Sequence, residues 1–169
     1  MSGLDRLWAG WRSSYIEGVT AGPSQPDGCV FCSILDSGLD DEETHILWRH
    51  PGRRALAILN AYPYGSGHLM VMPVRHAASP DELTAEEGAQ LWQGVTEAVV
   101  ALRRAYRPDG LNVGANLGRA AGAGVPGHFH MHVLPRWSGD TNFMTSVAET
   151  RVLPEPLATS AEKLRKAWP

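Results

Sequence analysis

Three histidines alternate with apolar residues in the segment His128-Phe129-His130-Met131-His132-Val133-Leu134-Pro135-Arg136-Trp137. In an extended strand successive side chains leave on opposite faces, so the three imidazoles share one face while Phe129, Met131 and Val133 share the other. A neutral imidazole is a nucleophile, a proton acceptor or a metal ligand near pH 7. The spacing is therefore compatible with a solvated polar strand face, a multi-histidine metal site, or a nucleophile flanked by acid–base partners.

A second reactive group is Cys29-Val30-Phe31-Cys32, which holds both cysteines of the chain. In a reducing compartment this spacing points to metal binding or redox chemistry more than to a structural disulfide. His45 and His50 have no such partner pattern and read as ordinary strand residues.

These groups need a scaffold, and the hydrophobic pattern supplies one. Strands are expected at His45 to Arg49, Arg54 to Leu59 and His68 to Val74, the last two separated by the Pro- and Gly-containing turn Asn60 to Gly67. Thr84 and Glu87 form a Thr-x-x-Glu capping box opening a helix to about Tyr106, with Leu91, Val95, Ala98, Val99, Leu102 and Ala105 on one face. Pro108-Asp109-Gly110 stops it. Leu111, Val113 and Ala115 then alternate with Asn112, Gly114 and Asn116 as a further strand, and a glycine-rich loop from Gly118 to Gly127 leads to the histidines. Thr159 to Trp168 reads as a short last helix with Thr159-x-x-Glu162 as its cap. Residues 1 to 27, with Leu7, Trp8, Trp11, Arg12 and Tyr15, read as a short helix or arm ending in a linker. The sum is an α+β chain, a mainly antiparallel sheet covered by one long helix.

Composition limits the partners. The 169 residues suit one domain without internal repeats, and 15 basic against 18 acidic side chains give a formal charge of -3. With no long basic run, a nucleic-acid footprint is not expected. The start, Met1-Ser2-Gly3-Leu4-Asp5-Arg6, lacks the organisation of a secretory signal and no apolar run is long enough to span a bilayer, so the expectation is a cytoplasmic protein without a membrane partner.

The alternating histidines resemble the signature of the histidine triad (HIT) superfamily of nucleotide hydrolases and transferases. The resemblance extends to Leu7-Trp8, Trp11-Arg12 and Tyr15-Ile16, to Leu59-Asn60-Ala61-Tyr62-Pro63-Tyr64 and to Gly67-His68-Leu69-Met70-Val71-Met72-Pro73. It continues through Asn112 to Gly118 and Pro135 to Phe143, and is closest to the branch typified by bacterial diadenosine tetraphosphate phosphorylase. It implies a HIT-like fold over residues 28–145, preceded by the arm 1–27 and followed by a C-terminal extension, 146–169, packing on the same domain.

The resemblance also implies roles. His130 would attack the α-phosphorus of a dinucleoside polyphosphate and hold the nucleotide covalently, while His132 would donate to a phosphate oxygen and assist the leaving group. His68 would lie near the nucleophile, orienting His130 or polarising the phosphate. Asn60 matches a ribose-contacting position and Asn116 one near the phosphates; turn or strand-end hydrogen bonding is the plainer reading of both. Trp137 would bound the nucleotide pocket or serve as packing. Many relatives carry a Gln, Ser or Thr before the triad, whereas this chain reads Ala121-Gly122-Ala123-Gly124-Val125-Pro126-Gly127. Backbone N–H groups of Gly122, Ala123 and Gly124 would have to replace that donor as an anion-binding nest.

In zinc-containing members a similar Cys-x-x-Cys joins two histidines, which implies Cys29, Cys32, His76 and His128 as a closed structural zinc site with no organic cofactor. The expected partners are a small nucleotide substrate and a second copy of the chain in a homodimer. Phosphate as acceptor would make the enzyme a phosphorylase and water a hydrolase, while a nucleoside phosphoramidate would use the same nucleophile. A non-catalytic nucleotide sensor is the alternative of another class, motivated by the altered glycine loop.

Overall fold

In the computed structural model, residues 28–140 and 155–169 are described, so the expected arm and the segment 141–154 lie outside the described residues. The five strands are β1 (Ile46–Arg49), β2 (Ala55–Leu59), β3 (Leu69–Pro73), β4 (Gly110–Gly114) and β5 (Met131–Arg136). They form one sheet in the order β1-β2-β3-β5-β4, every neighbouring pair antiparallel. Every residue of β2 and β3 is buried, because these strands are covered on both faces and alternation of polarity is not needed there.

One face carries α2 (Ala85–Tyr106) and α3 (Leu157–Ala167), which close over Ala57, Leu59, Leu69, Val71, Phe129 and Val133. At Gly94 a Cβ would come within 2.8 Å of the Trp48 ring and 2.9 Å of Val71, so a residue without a side chain lets α2 lie this close to the sheet. Trp168, just past α3, stacks on Trp48 with ring centroids 5.6 Å apart. The other face carries the short helix α1 (Val30–Leu35), whose Phe31 packs with Ile46, Leu56, Ile58, Met70 and Met72. Among the described residues no helix is long and apolar enough to cross a membrane.

The capping box of α2 forms as expected: Thr84 Oγ1 accepts the Glu87 N–H at 3.2 Å and Glu87 Oε2 accepts the Thr84 N–H at 2.9 Å. Arg75 adds a two-pronged contact to the same carboxylate, Nε and Nη2 each at 2.8 Å. Arg75 foremost and the Thr84 N–H next hold the Glu87 carboxyl down to about 2, and this binding stabilises the fold fully above the ordinary value of 4.5. The contribution is lost as pH falls through about 2. Glu87→Ala should cost about 2 kcal/mol at pH 7 in denaturant unfolding, since the cap disappears while the half-exposed Arg75 returns to water. The difference between mutant and wild type should shrink when the titration is repeated toward pH 2.

Several expected boundaries shift for identifiable reasons. His45 precedes β1 with φ at 58°, and His50 follows it, its Nδ1 accepting the Gly52 N–H at 2.8 Å to close a turn, so neither is a strand residue. The C-terminal helix starts at Leu157 behind Pro156 instead of at Thr159. A proline fits that start because its missing N–H would have no helical partner anyway. The Thr159-x-x-Glu162 cap does not form: Thr159 lies inside the helix, and Glu162 pairs with Lys166 one turn on.

Candidate active site and metal centre

The alternation of the histidine segment carries through to the tertiary structure. Phe129 and Val133 are buried in the core beneath α2, while His132 faces the opposite side beside its register partner Met70. Ladder pairing starts only at Met131, however, so His128 and His130 precede β5 and lie outside the ladder. The reason is local. The Pro73 carbonyl, which could continue the ladder, accepts from the His128 ring at 2.9 Å, and the Phe129 N–H turns to the Ala77 carbonyl at 2.6 Å.

These partners fix the ring protons. A carbonyl oxygen can only accept, so His128 carries its proton on Nε2 and turns a bare Nδ1 toward the cysteines. His130 donates Nδ1–H to the His128 carbonyl at 2.8 Å, which leaves the lone pair on Nε2. Burial holds His130 below the ordinary imidazole range, so it is neutral at pH 7. Phe31 packs edge-on to that ring with centroids 5.3 Å apart.

A second chain of bonds sets His132. The Tyr64 N–H donates to His68 Nδ1 at 3.1 Å, so neutral His68 carries its proton on Nε2 and gives it to His132 Nδ1 at 3.0 Å. His132 therefore holds its own proton on Nε2. The rings of His130 and His132 lie 5.0 Å apart at 81°, placing a lone-pair nitrogen and a donor nitrogen in one neighbourhood. The histidine that His68 touches is His132, whereas His130 is oriented by main chain. Asn60 closes the adjoining turn, its Oδ1 accepting the Tyr62 N–H at 2.9 Å, with Nδ2 3.4 Å from His68 Nδ1. Gly67, at φ 78°, admits the Tyr106 ring where a Cβ would stand 2.8 Å from it.

Cys29, Cys32, His76 and His128 come together, their ligand atoms all within 4.8 Å of one another. Cys29 Sγ lies 3.4 Å from His128 Nδ1, and Cys32 Sγ lies 3.4 Å from His76 Nδ1 and 3.7 Å from His128 Nδ1. Zinc–sulfur and zinc–nitrogen bonds of about 2.3 and 2.0–2.1 Å at a tetrahedral angle separate S and N by about 3.6 Å. The donor set and spacing thus fit a tetrahedral dication. Without a metal, burial first and the neighbouring Cys29 second push the Cys32 thiol up, a bias that a bound cation would reverse.

The glycine loop differs from expectation. The Gly122 N–H is taken by the Arg119 carbonyl at 2.9 Å and the Ala123 N–H by the Gly118 carbonyl at 3.3 Å, so in this conformation those two donors close a 3-10 turn (Arg119–Ala121) and form no nest. Asn116 Nδ2 reaches the Gly122 carbonyl at 3.4 Å and ties the loop to the end of β4. Trp137 is held by its main chain, the N–H donating to Asp140 Oδ2 at 3.1 Å, and its ring meets Tyr106 edge-on at 6.2 Å. Two groups absent from the sequence reading now matter. The Phe31 ring has a signal, lying between the two cysteines; the Tyr64 N–H, being main chain, leaves none.

Comparison with known proteins agrees with this geometry. The HIT domain family model matches residues 44–139. An AP-4-A phosphorylase of Mycobacterium tuberculosis is 38% identical over 173 residues, spanning 98% of this chain and 85% of that protein. A histidine triad nucleotide-binding protein of Sulfolobus tokodaii superposes with a TM-score of 0.66 at 28% identity, covering 82% of this chain and 91% of its own. A zinc-bound histidine triad protein of Mycobacterium smegmatis gives the same TM-score and identity over 83% and 92%.

Proposed function

The chain belongs to the HIT domain family, and from that premise we propose that it is a nucleotidyl transferase cleaving diadenosine tetraphosphate, with inorganic phosphate as acceptor. The observation that carries the reading is the His130 ring, neutral by burial and holding its proton on Nδ1 against the His128 carbonyl, so that Nε2 is a nucleophile. Its attack on the α-phosphorus forms a phosphorus–nitrogen bond and breaks the bond to the bridging oxygen, releasing ATP and leaving AMP on His130. His132, with its proton on Nε2, stabilises charge on the phosphate oxygens and protonates the departing oxygen. Phosphate then attacks the same phosphorus, giving ADP and restoring the ring. His68 orients His132 and holds its tautomer. In this reading Asn60 would contact the ribose, Asn116 the phosphates and Trp137 the base.

Cys29, Cys32, His76 and His128 would hold zinc, which would act structurally by tying α1 to the segment that carries His130. Two reduced thiols in this role support a cytoplasmic location. The β4 edge, with Val113 42% exposed, is suited to pairing with a second copy, and a homodimer is part of this reading.

Product analysis with diadenosine tetraphosphate, with and without phosphate, tests the proposal. ADP plus ATP formed only with phosphate is expected. AMP plus ATP regardless of phosphate would replace phosphorolysis by hydrolysis, and absence of any product would remove this substrate.

A further inference from the structure

A site that takes a polyphosphate must answer several negative charges, and the histidines described above supply little fixed charge. His68 accepts from Tyr64 at one nitrogen and donates to His132 from the other, so in this arrangement it is neutral. With the Gly122 and Ala123 N–H groups spent inside the glycine loop, most of the main-chain donors expected there are also committed.

The loop itself offers one alternative. From Leu117 to Gly127 every side chain is apolar or absent except Arg119. Both ends of this loop adjoin the histidine segment: Gly114 at the end of β4 pairs with His132, and Gly127 directly precedes His128. Val125 packs against the cluster that includes Phe31, whose ring lies against His130. Gly118 at φ 78° and Gly122 at φ 90° bracket the 3-10 turn, and Arg119 is its first residue. Arg119 is exposed, and among the described residues no carboxylate or other acceptor engages its guanidinium.

Among the described residues Arg119 shares its lack of a carboxylate partner with Arg53, Arg103 and Arg107, and of these it alone stands on the glycine loop that leads to the histidines. Arg49, Arg54, Arg75 and Arg136 each pair with a carboxylate. A permanent cation with a fork of donors, set on a turn bracketed by two positive-φ glycines and tied at Gly122 to Asn116, matches what a phosphate chain requires.

We propose that Arg119 is the receptor for the phosphates beyond the reacting phosphorus, so that the site selects nucleoside tri- and polyphosphates over monophosphates. This rests on the nucleotide reading of the histidine site. It makes Arg119 a specificity-determining residue that replaces, from the start of the loop, the side-chain donor missing at its end.

Calorimetric titration of the full chain with ATP and with AMP, for wild type, Arg119→Ala and Arg119→Lys, tests it. A charge-assisted contact of this kind corresponds to about ten- to a hundredfold in affinity. Arg119→Ala should lower the ratio of ATP affinity to AMP affinity by that factor, and Arg119→Lys, which keeps the charge but not the fork, should recover part of it. A merely structural role would weaken both nucleotides together. An unchanged ratio, with wild type binding ATP, would overturn the role of Arg119 and leave the nucleotide reading standing; wild type binding neither nucleotide would overturn both.

Discussion

His130→Ala is expected to lower turnover of diadenosine tetraphosphate by roughly 10⁴-fold or more while the protein stays folded. The effect should be this large because the step has no substitute nucleophile: His128 turns its lone pair to the cysteines, and the Nδ1 of His132 accepts from His68. The fold should survive because the His130 ring contributes an edge contact to Phe31 and a bond to main chain two residues away, and the core beneath α2 is untouched. With substrate labelled at the α-phosphorus, wild type quenched during turnover should carry acid-labile, alkali-stable label, as a phosphorus–nitrogen linkage requires, and the variant none. His132→Ala should slow the reaction by about 10²- to 10⁴-fold, in the range of lost proton transfer and charge stabilisation, and should still accumulate label. If His130→Ala kept about a tenth of wild-type turnover, a different atom would be the nucleophile.

The second large effect concerns the metal centre. Protein purified without chelator should contain about one equivalent of zinc per chain, and Cys32→Ser should lose it. Cys32 is one of the two thiolate donors and lies beside both histidines of the cluster, so its loss would leave three donors and an open shell. The expected fall in melting temperature is on the order of 10 °C, corresponding to a few kcal/mol in a chain of this size. A chelator should reproduce the loss in wild type and do nothing further to the variant. Wild type purified with no zinc, and as stable as Cys32→Ser, would show that the four residues are a thiol–imidazole packing cluster only.

Much of this organisation was legible in the chain because it rests on periodicity. The alternation from His128 to Val133 announces its two faces, since a period of two has one structural meaning over so short a span. Thr84 and Glu87 announce the start of α2 because both halves of a reciprocal cap lie within one turn. Helix α1 was not legible: six residues with no side-chain cap offer no periodic signal, and the helix is held by Phe31 packing on the sheet. Nor was the late start of β5, because it depends on the His128 ring taking a carbonyl more than fifty positions away. The donors spent in the glycine loop were invisible for a related reason, since glycine and alanine reveal composition and not which N–H meets which carbonyl. The start of α3 was misread because Thr159 and Glu162 have cap spacing, while Pro156 decides where the helix begins.

The alternation of His128 and His130 also limits how this gene can change. His128 is anchored outside the segment, to the Pro73 carbonyl, and His130 is anchored in turn to the carbonyl of His128. Insertion or deletion of one codon between His128 and His130 would turn these two side chains onto opposite faces and displace Phe129 from the core. Point substitutions can accumulate at Met131 or Leu134, but length cannot drift there. Changes in length have room outside that window, in the loop before it or beyond the end of β5, so among descendants of this sequence the spacing of these few residues should stay fixed while the flanking loops lengthen and shorten.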